Sequence, residues 1–213
     1  MELIPKVLVV GLFAAAQPGP LDRDRVNRIW DELSSRHEYR QLSHFCESVG
    51  FIGTSPDDAL VIEPPLVQVR STARLGLKNA ADEAAVAVKS VARHLGYKQF
   101  FNLGIKYVFH APAPNGAAID YVMHRLLGRD QSQLSALDRG GGIWAGLKYG
   151  MEASDASAYT LVIEPLLADD KFLFIDLDAQ FPGPADPAEI QERAREAEDY
   201  AYRAIRQYLE GAD

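Results

Sequence analysis

The chain is 213 residues long, 47% hydrophobic and 24% charged, with 30 Asp and Glu against 22 Lys and Arg and a formal net charge of −8. That length suffices for a core without metals or disulfides, and the acidic balance argues against a general nucleic-acid or anionic-membrane binder. A single cysteine, Cys46, excludes an internal disulfide and Cys-rich zinc sites.

Residues 7–16 have the apolar character of a secretory core segment. However, Glu2 and Pro5 precede them and Lys6 is the one basic side chain there, so a buried first strand over 6–16 is expected instead. No stretch approaches the roughly 18 apolar residues of a membrane-spanning helix, and the expected location is the cytoplasm. The Pro-Gly-Pro run at 18–20 ends the strand. Asp22 or Asp24 caps a helix with Val26, Ile29 and Leu33 on one face and Trp30 beside them. A strand-like stretch covers 39–53, followed by a turn at 55–58. Strands are expected over 60–62 and 67–70, broken by Pro64 and Pro65. A helix over 82–95 carries Ala84, Val88, Val91 and Leu95, and Gly96 closes it.

The pattern then begins again. Residues 100–110 alternate, with Phe101, Leu103, Ile105, Tyr107 and Phe109 on one face and Asn102, Gly104, Lys106 and His110 on the other. A helix carries Ile119, Val122 and Leu126, and 128–142 reads as a long loop with one turn near its middle. A strand over 143–152 groups Ile143, Ala145, Leu147, Tyr149 and Met151, and puts Trp144, Lys148 and Glu152 on the opposite face. Strands over 161–163 and 172–178 follow a turn at 154–157. Asp186, Pro187 and Glu189 then start a helix whose stripe is Ile190, Ala194, Ala197, Ala201, Ile205 and Tyr208.

The string beginning Leu60-Val61-Ile62-Glu63-Pro64 recurs at Leu161-Val162-Ile163-Glu164-Pro165. Phe13 and the residues after it resemble Phe109 and its successors, and a helix with a matching stripe follows each. These repeats point to a duplicated unit of strand, helix, strands and helix. The expected fold class is α+β. Two halves, 1–97 and 98–213, share one core and form one curved antiparallel sheet with helices on one face. The element order resembles TATA-box-binding-protein-like and helix-grip topologies, which says nothing about a ligand. The alternative is that the repeated string is an ordinary strand and turn in unrelated halves.

Candidate functional residues lie on the open face of such a sheet. Asp176 and Asp178 share a strand face, and Lys106, Lys148 and Arg70 are expected near them, with His110 at a rim. Two carboxylates so placed either share a cation or split their pKa values for acid/base work, or they form a cross-strand ion-pair ladder with the lysines. No metal site and no cofactor are expected. None of the five histidines makes a His-x-x-x-His pair. His110 is either a base beside a proline-rich loop or a structural strand-end residue. Cys46 lies near His44, without the basic surroundings of an activated thiolate. The glycines at 140–142 precede a strand rather than a helix, unlike a phosphate loop, and read as a hinge. Trp144 is either an interface anchor or a residue covered by the preceding loop.

Gly104-Ile105-Lys106-Tyr107-Val108, Phe174-Ile175-Asp176-Leu177-Asp178 and a final helix ending near Tyr208 and Leu209 carry one resemblance. In these the second half resembles a sporadically distributed, uncharacterised family of bacterial proteins. Lys106 stands where that family has an arginine, and an asparagine expected after the tyrosine is missing. The resemblance implies a fold and no activity. The expected function is a binding or protein-interaction module without catalysis of its own, with a protein partner or a homodimer. The alternative is a small-molecule-binding protein or hydrolase using the polar open face.

Overall fold

The computed structural model of the protein describes residues 1–14, 21–45, 47–55, 57–129 and 143–211. Cys46, the turn at 17–20 and the glycines at 140–142 lie outside the described residues. The chain opens with strand β1 (Ile4–Ala14). Helix α1 (Arg23–Ser34) is capped by Asp22, whose carboxylate accepts from the Arg25 N–H at 2.9 Å, and Val26, Ile29 and Leu33 form its buried stripe. The stretch expected as one strand over 39–53 is instead a hairpin, β2 (Gln41–Phe45) and β3 (Ser48–Ile52). Folding back sets Leu42 opposite Phe51. β4 (Ala59–Glu63) and β5 (Leu66–Thr72) flank a turn through Pro64 and Pro65. Helix α2 (Leu77–Leu95) begins five residues before Asp82, because Leu77, Ala80 and Ala81 extend its buried face. Gly96 closes it at φ +74°, a left-handed position that favours glycine.

The second half contains β6 (Phe100–Pro112), the short helix α3 (Ala118–Asp120) with a π-helical continuation Tyr121–Leu126, β7 (Leu147–Glu152), β8 (Ala158–Pro165) and β9 (Phe172–Ala185). Asp186 accepts from the Ala188 N–H at 2.7 Å and starts the final helical run. That run is α4 (Ile190–Tyr200), a π-helical stretch Ala201–Ile205 and α5 (Arg206–Glu210).

Among the described residues, nine strands form one open antiparallel sheet in the order β2-β3-β4-β5-β1-β6-β9-β8-β7. The helices pack on one face, and one buried cluster runs through both halves. The fold is therefore α+β, as expected. β1 and β6 meet at the middle, with Gly11 opposite Gly104.

The repeated strings occupy corresponding strands. Leu60 lies between Phe51 and Val69, and Leu161 lies between Tyr149 and Leu177. One strand further inward, Val69 meets Val10 and Leu177 meets Tyr107, all facing the helices. In this correspondence Phe13 answers to His110, not to Phe109. Matching Phe13 with Phe109 would pair an open-face residue with a helix-face one, since strand side chains alternate.

Three local departures have physical causes. The alternation of β6 breaks at Asn102, which sits at φ +60° as a bulge between the pairs Leu12–Leu103 and Phe13–Phe101. Phe100 is consequently buried, and Phe101 turns to the open face with 44% of its surface exposed. The strand expected from Ile143 starts only at Leu147. Extending the ladder with β8 would set Ala145 opposite Pro165, which has no N–H to donate. Trp144 precedes the strand and is 45% exposed. In the last helix the stripe passes from Ile205 to buried Leu209, not to Tyr208. The wider π-helical turn just before rotates the following residues.

Candidate functional site

The open face is built by alternation. Along β6 the helix side takes Leu103, Ile105, Tyr107 and Phe109, leaving Gly104, Lys106, Val108 and His110 on the other side. β9 buries Ile175, Leu177 and Ala179, which leaves Phe174, Asp176, Asp178 and Gln180 on the open face. One cross-strand row reads Ala59, Arg70, Val9, Lys106, Asp178, Thr160 and Gly150. The neighbouring row contains Thr72, Val7, Val108, Asp176, Val162 and Lys148.

The structure brings Lys106, Asp176 and Asp178 together. The Lys106 ammonium lies 2.6 Å from Asp176 Oδ2, and Gln180 donates to Asp178 Oδ1 at 2.5 Å. Asn102 in turn donates to Gln180 Oε1 at 3.3 Å. Asp176 Oδ1 is buried and without a partner among the described residues. Arg70 shares the row with Asp178 but is separated from it by β1 and β6, and its partner is Asp57 at 3.7 Å. Lys148 is two strands from Asp176 and makes no ion pair among the described residues. His110 pairs with Phe174, and its ring centroid is 6.4 Å from that of Phe172 and 6.5 Å from that of Phe174. Burial, then the nearby Lys6 charge, lowers its pKa from the ordinary histidine value.

The open face also carries apolar groups. Phe13 and Phe101 are directly opposite each other and 39% and 44% exposed. Leu66 pairs with Phe13 on the other side, over Gly11. Val7, Val9, Val61, Val108 and Val162 lie on the same face.

A second region was not foreseen from the sequence. A cleft of about 470 Å³ lies at the end of β5, lined by His37, Tyr39, Gly53, Asp58, Thr72 and Glu83 among others. Gly53 is required there, because a Cβ would come within 2.8 Å of Asp58 Cβ and 2.9 Å of its carbonyl oxygen. Asp58 accepts from the Thr72 N–H at 2.6 Å and the Thr72 hydroxyl at 2.7 Å. His37 Nε2 is buried with no partner among the described residues. Burial first, then the adjacent Arg36 charge, lowers the His37 pKa. Burial, then Asp58 and Glu38, raises that of the Glu83 carboxyl. These residues come from four separate segments, so no local motif could have announced them. Lys106, Asp176 and Asp178 do not line this cleft.

Among the described residues no cluster of three or more His, Cys, Asp or Glu side chains is placed to hold a metal ion. No helix among them is long and apolar enough to cross a membrane. In comparison with known proteins, the chain matches no family model, and no curated protein is significantly similar to it.

Proposed function

We propose that this is a cytoplasmic protein-interaction module, without catalysis of its own, that works through the open face of its sheet. The observation that carries the reading is the exposed Phe13–Phe101 pair, at one end of the two adjoining strands β1 and β6, on a face that none of the described helices covers. Contiguous apolar groups ringed by polar ones are the usual composition of a docking surface. The charge of −8 supports a protein partner rather than a nucleic acid. The Lys106–Asp176 ion pair supports the ladder reading of the two aspartates over an acid/base pair. The matching registers around Leu60 and Leu161 support descent of the two halves from one duplicated unit.

Native mass spectrometry of the intact protein, purified gently from its own host, tests this. A stoichiometric protein partner should be present with the wild type and absent with Phe101→Asp, while both melt at similar temperatures. A partner retained by Phe101→Asp would overturn the assignment to this face.

A second reading rests on His37, which lines the cleft and whose buried Nε2 has no partner among the described residues. An imidazole of lowered pKa sharing a cleft with a carboxyl of raised pKa suits recognition of a small polar molecule. It predicts a bound small mass that is lost on His37→Ala and unaffected by Phe101→Asp.

A further inference from the structure

We propose that the partner of the open face is a second copy of this chain, docked face to face about a two-fold axis that runs along the strands between β1 and β6. This rests on the reading of the open face as an interaction surface. It adds the occupant and the register.

The argument is one of self-complementarity. A two-fold axis in that position lays β1 over the partner's β6, β5 over its β9 and β4 over its β8, and keeps each cross-strand row above itself. The row partners can then be read from the ladders. Arg70 meets the partner's Asp178, and by symmetry Asp178 meets the partner's Arg70. Gln68 meets the partner's Gln180, and Val7 meets the partner's Val108. Thr72 comes over the partner's Asp176. Gly11 and Gly104 meet each other's counterparts at the axis, with the Leu66 and Gln180 side chains reaching over them. No like-charged pair arises in these rows.

The apolar groups fall into the same scheme. Phe13 and Phe101 straddle the axis, so each meets the other's counterpart and four phenylalanines gather at one end of it. Buried aromatic anchors of this kind dominate interface energies. The existing Arg70–Asp57 contact is an exposed pair, half solvent-accessible on both sides. Such pairs contribute little and rearrange cheaply.

The dimensions are adequate. The eight strands from β3 to β7 in sheet order, about 4.8 Å apart and about 20 Å long, present roughly 700 Å² of projected face. A standard interface needs about 800 Å² of accessible surface per partner. Aligned sheets pack about 30° apart, which this symmetry meets with the axis only about 15° off the strand direction.

Sedimentation of the full chain from 1 to 100 µM, with charge-reversed variants, tests the proposal. The wild type should dimerise. Arg70→Asp alone sets two pairs of acids against each other, and Asp178→Arg alone sets two pairs of bases against each other. Each should weaken dimerisation by about 100-fold or more. Mixing these two variants should restore a one-to-one heterodimer, since each contact again joins opposite charges. Circular dichroism spectra matching the wild type confirm that each variant is folded, and the milder Arg70→Gln serves if Arg70→Asp is not. A wild type that stays monomeric at 100 µM would overturn self-association. The broader open-face reading would then be judged separately, by whether Phe101→Asp loses a host partner. A dimer unaffected by either reversal would place the contact on another surface and overturn the proposed register.

Discussion

Lys106 stands directly opposite Asp178 in the β6–β9 ladder, yet its ammonium pairs with Asp176, the diagonal neighbour, at 2.6 Å. Asp178 is held instead by Gln180 on its own strand. The Asp176 side chain is only 18% exposed and sits between Val108 and Val162 in its row. Removing the lysine strands a mostly buried carboxylate. Lys106→Met should destabilise the fold by about 1–2 kcal/mol in urea titration. Adding Asp176→Val should recover most of that loss, because the apolar pair then matches its row. A double variant no more stable than Lys106→Met would disprove this account.

Glu32 on α1 joins that helix to α2 by accepting from Arg93, from Ser90 at 2.8 Å and from His94 at 2.9 Å. The Arg93 hydrogen bond is the main cause of its pKa falling from 4.5 to about 2, against burial that would raise it. A depressed carboxylate stabilises the folded state fully above its unfolded pKa. That contribution declines as pH falls from about 4.5 toward 2. Glu32→Gln should cost about 1–2 kcal/mol at neutral pH and flatten the fall in melting temperature across that window. An unchanged acid limb would count against the linkage.

The π-helical turn before α5 gives adjacent residues opposite roles. Leu209 is fully buried and Tyr208 is 38% exposed, with its hydroxyl bonded to that of Tyr149 at 2.8 Å. Leu209→Ala should cost about 2–5 kcal/mol. Tyr208→Phe should cost about 1 kcal/mol or less. Equal losses would mean that the helix does not widen there.

Gly53 and Gly150 provide a matched comparison. An added Cβ at Gly53 would strike the Cβ and carbonyl oxygen of Asp58, whereas at Gly150 it meets nothing within 4 Å. Gly53→Ala should destabilise by about 1–3 kcal/mol through overpacking, and Gly150→Ala should fall within about 0.5 kcal/mol of the wild type. Thermal melts of both variants decide the matter.

His37 should titrate below the ordinary histidine value of 6.5, because burial and the Arg36 charge both disfavour the imidazolium. A depressed histidine pKa makes the unfolded chain bind more protons. Stability is therefore lost as pH falls through 6.5 toward the folded pKa. NMR titration of the imidazole gives the value, and His37→Gln should remove that part of the pH dependence. A His37 pKa at or above 6.5 would show that the ring is solvated.

The candidate site divides by how local its signals are. Asp176, Asp178 and Lys106 were placed on one face by strand period alone, because alternation needs only near neighbours. Their pairing needed the register: with Lys106 opposite Asp178, only side-chain geometry selects Asp176. Lys148 and Arg70 have the right face and the wrong distance, since strand order sets them two and three strands from the aspartates they were expected to meet.

The sequence by itself determined most of the element order, apart from the β2–β3 hairpin, together with a helix cap at Asp22 or Asp24 and one at Asp186, the apolar stripe of α1 and the α+β class, because capping and periodicity act over a few residues. Tertiary structure decided where that periodicity slips, at the Asn102 bulge and the π-helical turn before Leu209, because one extra residue is absorbed wherever packing on both sides demands it. It also decided which strands are neighbours. That choice joins Gly11 to Gly104 and sets Phe13 against Phe101, and it assembles the cleft around His37 from four segments that no local rule connects.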